Sequence, residues 1–142
     1  ELALKEYPYF STSSFELENE KISFSVNTVK YYRSLYPSAQ LYFLLGSDVI
    51  SSLDKWYKID EIFNLCQIII YDRAGYENNQ ELILYSSFSK KYKQNLMENY
   101  IRMSVPKISS TQLRRAIKEK KSVEKFIPKD VYRYIIENLV YT

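Results

Sequence analysis

Gln40-Leu41-Tyr42-Phe43-Leu44-Leu45-Gly46-Ser47-Asp48 is the stretch on which the fold turns. Residues 40–45 form a continuous, largely apolar run of strand length that stops at Gly46. A run without alternation suits a central strand of a parallel sheet, covered by helices on both faces. Working outward, Cys66 to Tyr71, with Ile68-Ile69-Ile70, reads as a second buried strand. Tyr100 to Val105 alternates, precedes Pro106, and reads as a third. Between them lie helical patterns. One runs from about Val26 to Leu35, with Val26, Val29, Tyr32 and Arg33 spaced along it and Pro37 beyond its end. The other is short, Asp60 to Leu65, and carries Ile62, Phe63 and Leu65. Strands alternating with helices predict an α/β domain with a mostly parallel sheet.

The flanks are less regular. Glu1 to Glu6 are strong helix formers without a cap and too few for a stable helix, so the chain reads as starting inside one. Tyr9 to Leu17 alternates weakly and is predicted as a strand. In the polar stretch 76–98, Leu82–Tyr85 is predicted as a strand and a Lys-rich helix follows through Met97. Ser109-Ser110-Thr111-Gln112 matches the S-x-x-Q capping box, with Leu113, Ala116 and Ile117 as the apolar face behind it. Pro128 opens a last helix whose predicted buried stripe is Val131, Tyr134, Ile135 and Leu139. No repeat or Gly/Ser/Pro-rich linker interrupts residues 1–142, which predicts a single domain.

Composition closes much of the enzyme catalogue. The chain has 142 residues, no histidine, one cysteine (Cys66) and two glycines (Gly46 and Gly75). These counts exclude Ser-His-Asp and Cys-His chemistry, histidine or multi-cysteine metal sites, an internal disulfide, a Walker loop and a G-x-G-x-x-G fingerprint. No run approaches the roughly 18 apolar residues of a bilayer crossing, and no secretory pattern opens the chain. A lone cysteine fits a reducing cytoplasm. The fifteen tyrosines reflect base composition rather than function. Net charge is +3, yet residues 90–133 carry thirteen Lys/Arg against four Asp/Glu, while the remainder carries seven against thirteen. Such a basic stretch suits nucleic acid, a membrane surface or a phosphorylated small molecule, and equally suits solvated helix faces.

Four constellations carry chemistry. Gly46-Ser47-Asp48 follows a buried strand, where parallel sheets bind ligands: Gly46 would admit a nucleoside and Asp48 would take up its hydroxyls. The plainer reading is a turn glycine and a capping aspartate. Ser109, Thr111 and Arg114 surround a helix N-terminus, a ready anion site with a guanidinium fork one turn on; the alternative is a well-capped surface helix. Trp56-Tyr57 offers either core packing or a flat surface for a ring. Ser23 to Thr28 opens the helix near residue 26 and offers a second anion site, or simple capping by Ser25.

In order and spacing, these pieces resemble bacterial nicotinate-nucleotide adenylyltransferases, of the Rossmann-like nucleotidyltransferase superfamily. Ser23 to Thr28 is similar to that family's S-Y-T-x-D-T, and Leu44 to Asp48 to its I-I-G-x-D. Lys55-Trp56-Tyr57 matches K-W-Y, Asp72 to Tyr76 resembles A-R-P-G-Y, and Ile108 to Arg114 is close to I-S-S-T-x-I-R. The tail from Phe126 to Tyr141 is similar to L-x-P-x-x-V…Y-I…L-Y. The resemblance implies AMP transfer from ATP to nicotinate mononucleotide, yielding deamido-NAD and pyrophosphate, with Mg²⁺ carried mainly by the ATP. It implies that Ser109, Thr111 and Arg114 hold ATP phosphates, Gly46 and Asp48 line the adenosine site, and Arg73 sits near the nucleotide. Trp56 would stack on the pyridine, and amides near Ser25 and Tyr57 would meet its carboxylate. Neither a membrane nor nucleic acid is implied as a partner, and the cytoplasm is the expected location.

Departures from the family pattern set further expectations. The family's opening strand and G-x-F-x-P-x-H-x-G-H loop have no counterpart here, and the first residues resemble the middle of its second helix. The domain is therefore expected to lack its first strand–helix unit and, by itself, to be inactive. Ser25 and Asn27 replace threonine and aspartate, Ala74 replaces proline, and residues 77–99 are longer and more basic than the family pattern. The competing readings are a catalytically inactive nucleotide-binding fragment, a sister adenylyl- or cytidylyltransferase, and a basic nucleic-acid-binding domain built on residues 90–133.

Overall fold

Parallel pairing of the two apolar runs sets the architecture. The computed structural model describes residues 1–18, 23–76 and 79–141. In it β1 (Tyr42–Gly46), β2 (Gln67–Tyr71) and β3 (Tyr100–Ile101) form one parallel sheet in the order β1-β2-β3. Helices separate the strands in sequence: α1 (Ser25–Leu35), α2 (Ile50–Leu53), α3 (Ile59–Leu65), α4 (Gln80–Tyr85) and α5 (Lys90–Glu98). Two more, α6 (Ser110–Lys118) and α7 (Lys129–Glu137), close the chain. The arrangement is the α/β class with a parallel sheet that the strand–helix alternation predicts, and the Rossmann-like fold that the family resemblance implies.

Two compact units partition these elements. Phe15–Pro106 contains the sheet and α1 to α5, and its core joins both layers. The register sets Phe43 beside Ile68 and Leu45 beside Ile70, and this face packs against Val26 and Val29 of α1, Ile50 and Leu53 of α2, Ile59 and Ile62 of α3, Ile83 of α4 and Leu96 of α5. Burying each such side chain is worth about 1.5–3 kcal/mol. Arg33, at the end of α1, donates to the carbonyls of Tyr36, Pro37, Ala39 and Leu65, tying off the helix and the end of α3. The other unit joins residues 1–14 to the segment from Lys107 on. Its small core is Ile117, Val123 and Ile135, with Leu113, Ala116, Ile127 and Val131 packed around it. The basic stretch 90–133 is thus divided, α5 belonging to one unit and α6 and α7 to the other.

Several expectations need correction. β1 is not a central strand among the described residues: β2 pairs along one side only, and Tyr42 and Leu44 are 55% and 60% exposed. The buried cluster lies on the opposite sheet face, so an unbroken apolar run did not here mean cover on both sides. Tyr9–Leu17 is irregular chain between turns rather than a strand, and Tyr9 and Leu17 lie in solvent. Leu82–Tyr85 is helical, because Ile83 alone enters the core while Leu82, Leu84 and Tyr85 stay exposed; four apolar residues fit either geometry. β3 stops after two residues because the Met103 amide turns to the Asp72 carboxylate instead of continuing the ladder. On α7, Tyr134 and Leu139 are exposed: the helix ends at Glu137, and Leu139 takes a left-handed φ of 53° beyond it. Residues 77 and 78, at the head of the unplaced polar stretch, lie outside the described residues.

Candidate functional site

Parallel strands bring their carboxyl ends to one side of a sheet, where loops collect ligand-binding groups. Gly46 ends β1 opposite Tyr71 of β2, so Ser47-Asp48 and Asp72-Arg73 emerge side by side. Arg73 Nη1 lies 2.9 Å from Asp48 Oδ2, its side chain 58% exposed and that of Asp48 25%. The second carboxylate oxygen, Asp48 Oδ1, is buried and has no hydrogen-bond partner among the described residues. A buried acceptor without a donor costs about 1–3 kcal/mol. Beside a solvent-facing guanidinium it offers one acceptor for a hydroxyl and one cation for a phosphate.

The glycine before this pair also has a reason within the protein itself. Gly46 has φ −74° and ψ 150°, which any residue adopts. A Cβ there would lie 2.5 Å from Asp48 Oδ1 and 3.2 Å from Arg73 Cδ. Glycine is needed so that the aspartate and arginine can fold over it. Asp48 does not cap a helix either, since neither the 3₁₀ turn Ser47–Val49 nor α2 has a side-chain cap bond.

Behind the ion pair sits a buried polar cluster. The fully buried Ser47 hydroxyl accepts from the Arg73 amide at 3.0 Å and donates to the Tyr76 carbonyl at 2.8 Å. Asp72, 4% exposed, accepts from the Tyr100 hydroxyl at 2.6 Å and from the Met103 amide at 3.1 Å. Burial, reinforced by the Asp72 carboxylate, pushes the Tyr100 phenol up to about 12. The sequence reading named neither Ser47, Asp72 nor Tyr100 as a site residue. The available signal was an aspartate directly after an apolar strand, where a solvated loop would otherwise begin.

Ser25, Trp56 and Tyr57 belong to the same unit. Ser25 is the first residue of α1, whose N-cap is Phe24 and has no side-chain cap bond, so the expected capping by Ser25 is not found. Phe24 and Tyr57 rings meet at 4.6 Å, bringing the α1 N-terminus beside the loop before α3. Trp56 is half-buried against Phe43 at 6.3 Å and packs on the core, leaving part of the indole accessible. In the other unit, Ser109 caps α6 through the full reciprocal box: its hydroxyl accepts from the Gln112 amide, and its amide donates to the Gln112 side chain. Arg114 donates to Thr111 Oγ1 at 3.4 Å and lies 6.0 Å from the Tyr141 ring centroid. Ser109, Thr111 and Arg114 therefore share one exposed helix start.

Among the described residues, no three His, Cys, Asp or Glu side chains converge as a metal cage, and no helix is long and apolar enough to cross a membrane. Residues 1–116 match the cytidylyltransferase-like family model. A Clostridium botulinum protein named probable nicotinate-nucleotide adenylyltransferase is 36% identical over 99% of this chain and 69% of its own length. A Clostridium perfringens protein of the same name is 30% identical over 91% of this chain and 63% of its own. Among solved structures, Plasmodium falciparum nicotinic acid mononucleotide adenylyltransferase complexed with NaAD matches with a TM-score of 0.59 at 20% identity. That match covers 86% of this chain and 58% of the solved one. The same enzyme complexed with APC also matches at 0.59, 19% identical, over 86% and 60%. By these matches the chain belongs to the cytidylyltransferase-like nucleotidyltransferases, in the nicotinate-nucleotide adenylyltransferase family.

Proposed function

We propose that this chain serves adenylyl transfer from ATP to nicotinate mononucleotide, forming deamido-NAD and pyrophosphate. The observation that carries the reading is the buried, unpartnered Asp48 Oδ1 held beside Arg73 at the carboxyl ends of parallel strands. That oxygen accepts a ribose hydroxyl of the adenosine, for which Gly46 and Asp48 form the wall. Arg73 stands over the nucleotide phosphates. In the other unit the first amides of α6, with Ser109, Thr111 and Arg114, offer a phosphate-binding helix start of their own. On the acceptor side Trp56 stacks on the pyridine. The first amides of α1 at Ser25, with the backbone at Tyr57, meet the nicotinate carboxylate. A helix N-terminus favours a carboxylate over a neutral carboxamide, which gives the acid its advantage.

A phosphate oxygen of nicotinate mononucleotide attacks the α-phosphorus of ATP, and the bond from that phosphorus to the bridging oxygen breaks as pyrophosphate leaves. No covalent protein intermediate is required. The residues position the two phosphates and neutralise charge as it builds. A divalent ion, here Mg²⁺, enters as part of the triphosphate substrate and supplies charge neutralisation there, in keeping with magnesium's preference for phosphate and water ligands. Pyrophosphate release by the full-length gene product with ATP and nicotinate mononucleotide tests the proposal. Turnover of pantetheine phosphate or of a choline-type phosphate instead, or of CTP in place of ATP, would reassign the chain to a sister transferase.

A further inference from the structure

We infer that Ser47 is a positioning residue that holds the backbone of Arg73 in register with the site. Asp72 and Tyr100 secure the seam from which Arg73 emerges. The inference rests on the function proposed above. Two consecutive residues at the end of β1 grip opposite ends of one arginine. Asp48 takes the guanidinium at 2.9 Å, and Ser47 takes the amide at 3.0 Å. The same Ser47 hydroxyl donates to the Tyr76 carbonyl at 2.8 Å, and the Tyr76 amide returns to the Arg73 carbonyl at 2.8 Å. One buried hydroxyl thereby pins both ends of the turn 73–76, in which Gly75 adopts a φ of +84°.

The far side of the turn is anchored as well. The Asp72 amide donates to the Ile101 carbonyl, and its carboxylate takes the Tyr100 hydroxyl and the Met103 amide. The Ser47 hydroxyl also lies close enough to the Tyr100 phenol to offset part of the upward push on it, so the ends of β1 and β2 and the start of β3 meet in one polar cluster. Ala74 leaves this turn without the stiffening of the proline found at that place in the family pattern. Hydrogen bonds to a buried hydroxyl supply the rigidity in its place. A long arginine side chain has many rotamers, and fixing its backbone and its fork before substrate arrives limits what binding must order. Ser47 touches no reacting atom in this account; it acts through Arg73.

The test compares Ser47→Ala, Arg73→Ala and the double variant. Ser47→Ala is expected to lower kcat/KM about tenfold, a change of about 1.4 kcal/mol, and to cause no further loss when Arg73 is already alanine. A loss of equal size on both backgrounds would overturn the positioning role, because plain destabilisation does not depend on Arg73. Amide exchange on the same samples reads the latch without catalysis. Arg73 is expected to exchange at least about tenfold faster in Ser47→Ala while Ile68 and Ile70 keep their wild-type rates. Unchanged exchange at Arg73 would refute the latch even in an active enzyme. An intact latch in a full-length wild-type protein that does not turn over ATP with nicotinate mononucleotide would instead refute the proposed function. Should Ser47→Ala not fold, Ser47→Cys keeps the volume, weakens both hydrogen bonds and carries the same readouts.

Discussion

Gly46→Ala isolates the nucleotide site from the fold. The backbone accepts alanine without strain at φ −74° and ψ 150°. The new methyl, however, would sit 2.5 Å from Asp48 Oδ1 and 3.2 Å from Arg73 Cδ. Both contacts are side-chain rather than backbone atoms, the buried Asp48 Oδ1 and the Cδ of a largely exposed arginine, so relief comes from Asp48 swinging away and the 2.9 Å pair opening. A partly exposed ion pair is worth up to about 1 kcal/mol, so the variant should unfold within a few degrees of wild type. Ligand binding should suffer far more. Removing an ionised acceptor from a ligand hydroxyl costs about 1.5–3 kcal/mol, or roughly 10- to 150-fold in Kd. Calorimetric titration with ATP, beside a thermal melt, measures both quantities. Wild-type ATP affinity in Gly46→Ala would refute the assignment of Asp48 to the nucleotide. A loss of stability large enough to abolish the fold would show that the pair is structural.

Arg114→Ala should leave the melting temperature nearly unchanged, since an exposed helix substitution stays within about 0.5 kcal/mol, while lowering turnover about 100-fold through lost transition-state charge stabilisation; steady-state kinetics with a melt decides. Trp56→Ala removes the contact with Phe43 and should cost roughly 2–3 kcal/mol of stability. It should also raise KM for nicotinate mononucleotide more than for ATP, and equal changes in both constants would leave only the packing role. Alkaline pH should destabilise the sheet unit in two steps. Burial raises the Cys66 thiol from 9.0 to about 11 and the Tyr100 phenol from 10.0 to about 12. Both groups stay protonated in the folded chain after the unfolded chain has released its protons. Stability is therefore intact below pH 9 and falls as pH rises toward 12. Tyr100→Phe should remove the upper part of that decline in urea titrations, and an unaltered pH profile would contradict the burial of the phenol.

Local chemistry made much of this protein readable before any coordinates. The isoleucine run 68–70 admits little but a buried strand, and the Ser109–Gln112 spacing is a complete local instruction for a helix start, met atom for atom. Motifs whose meaning depends on neighbours far along the chain were less legible. Gly46 reads as a turn or ligand glycine until Arg73, distant in sequence, is seen folded over it. Leu82–Tyr85 satisfies a strand or a helix until the core selects Ile83 alone.

The linear order of residues by itself determined the α/β class, the parallel pairing of two apolar runs, the family motifs and the caps, because periodicity and capping are satisfied within a few neighbours. Among the described residues, tertiary structure alone decided that Tyr42 and Leu44 of β1 stay exposed, that β3 ends where Met103 turns to Asp72, and that Ser47 and Asp48 together seize a single arginine. Those outcomes depend on which buried polar groups find partners across the sheet. Hydrogen bonds are short-ranged and directional, and no spacing along one strand encodes what its neighbour presents.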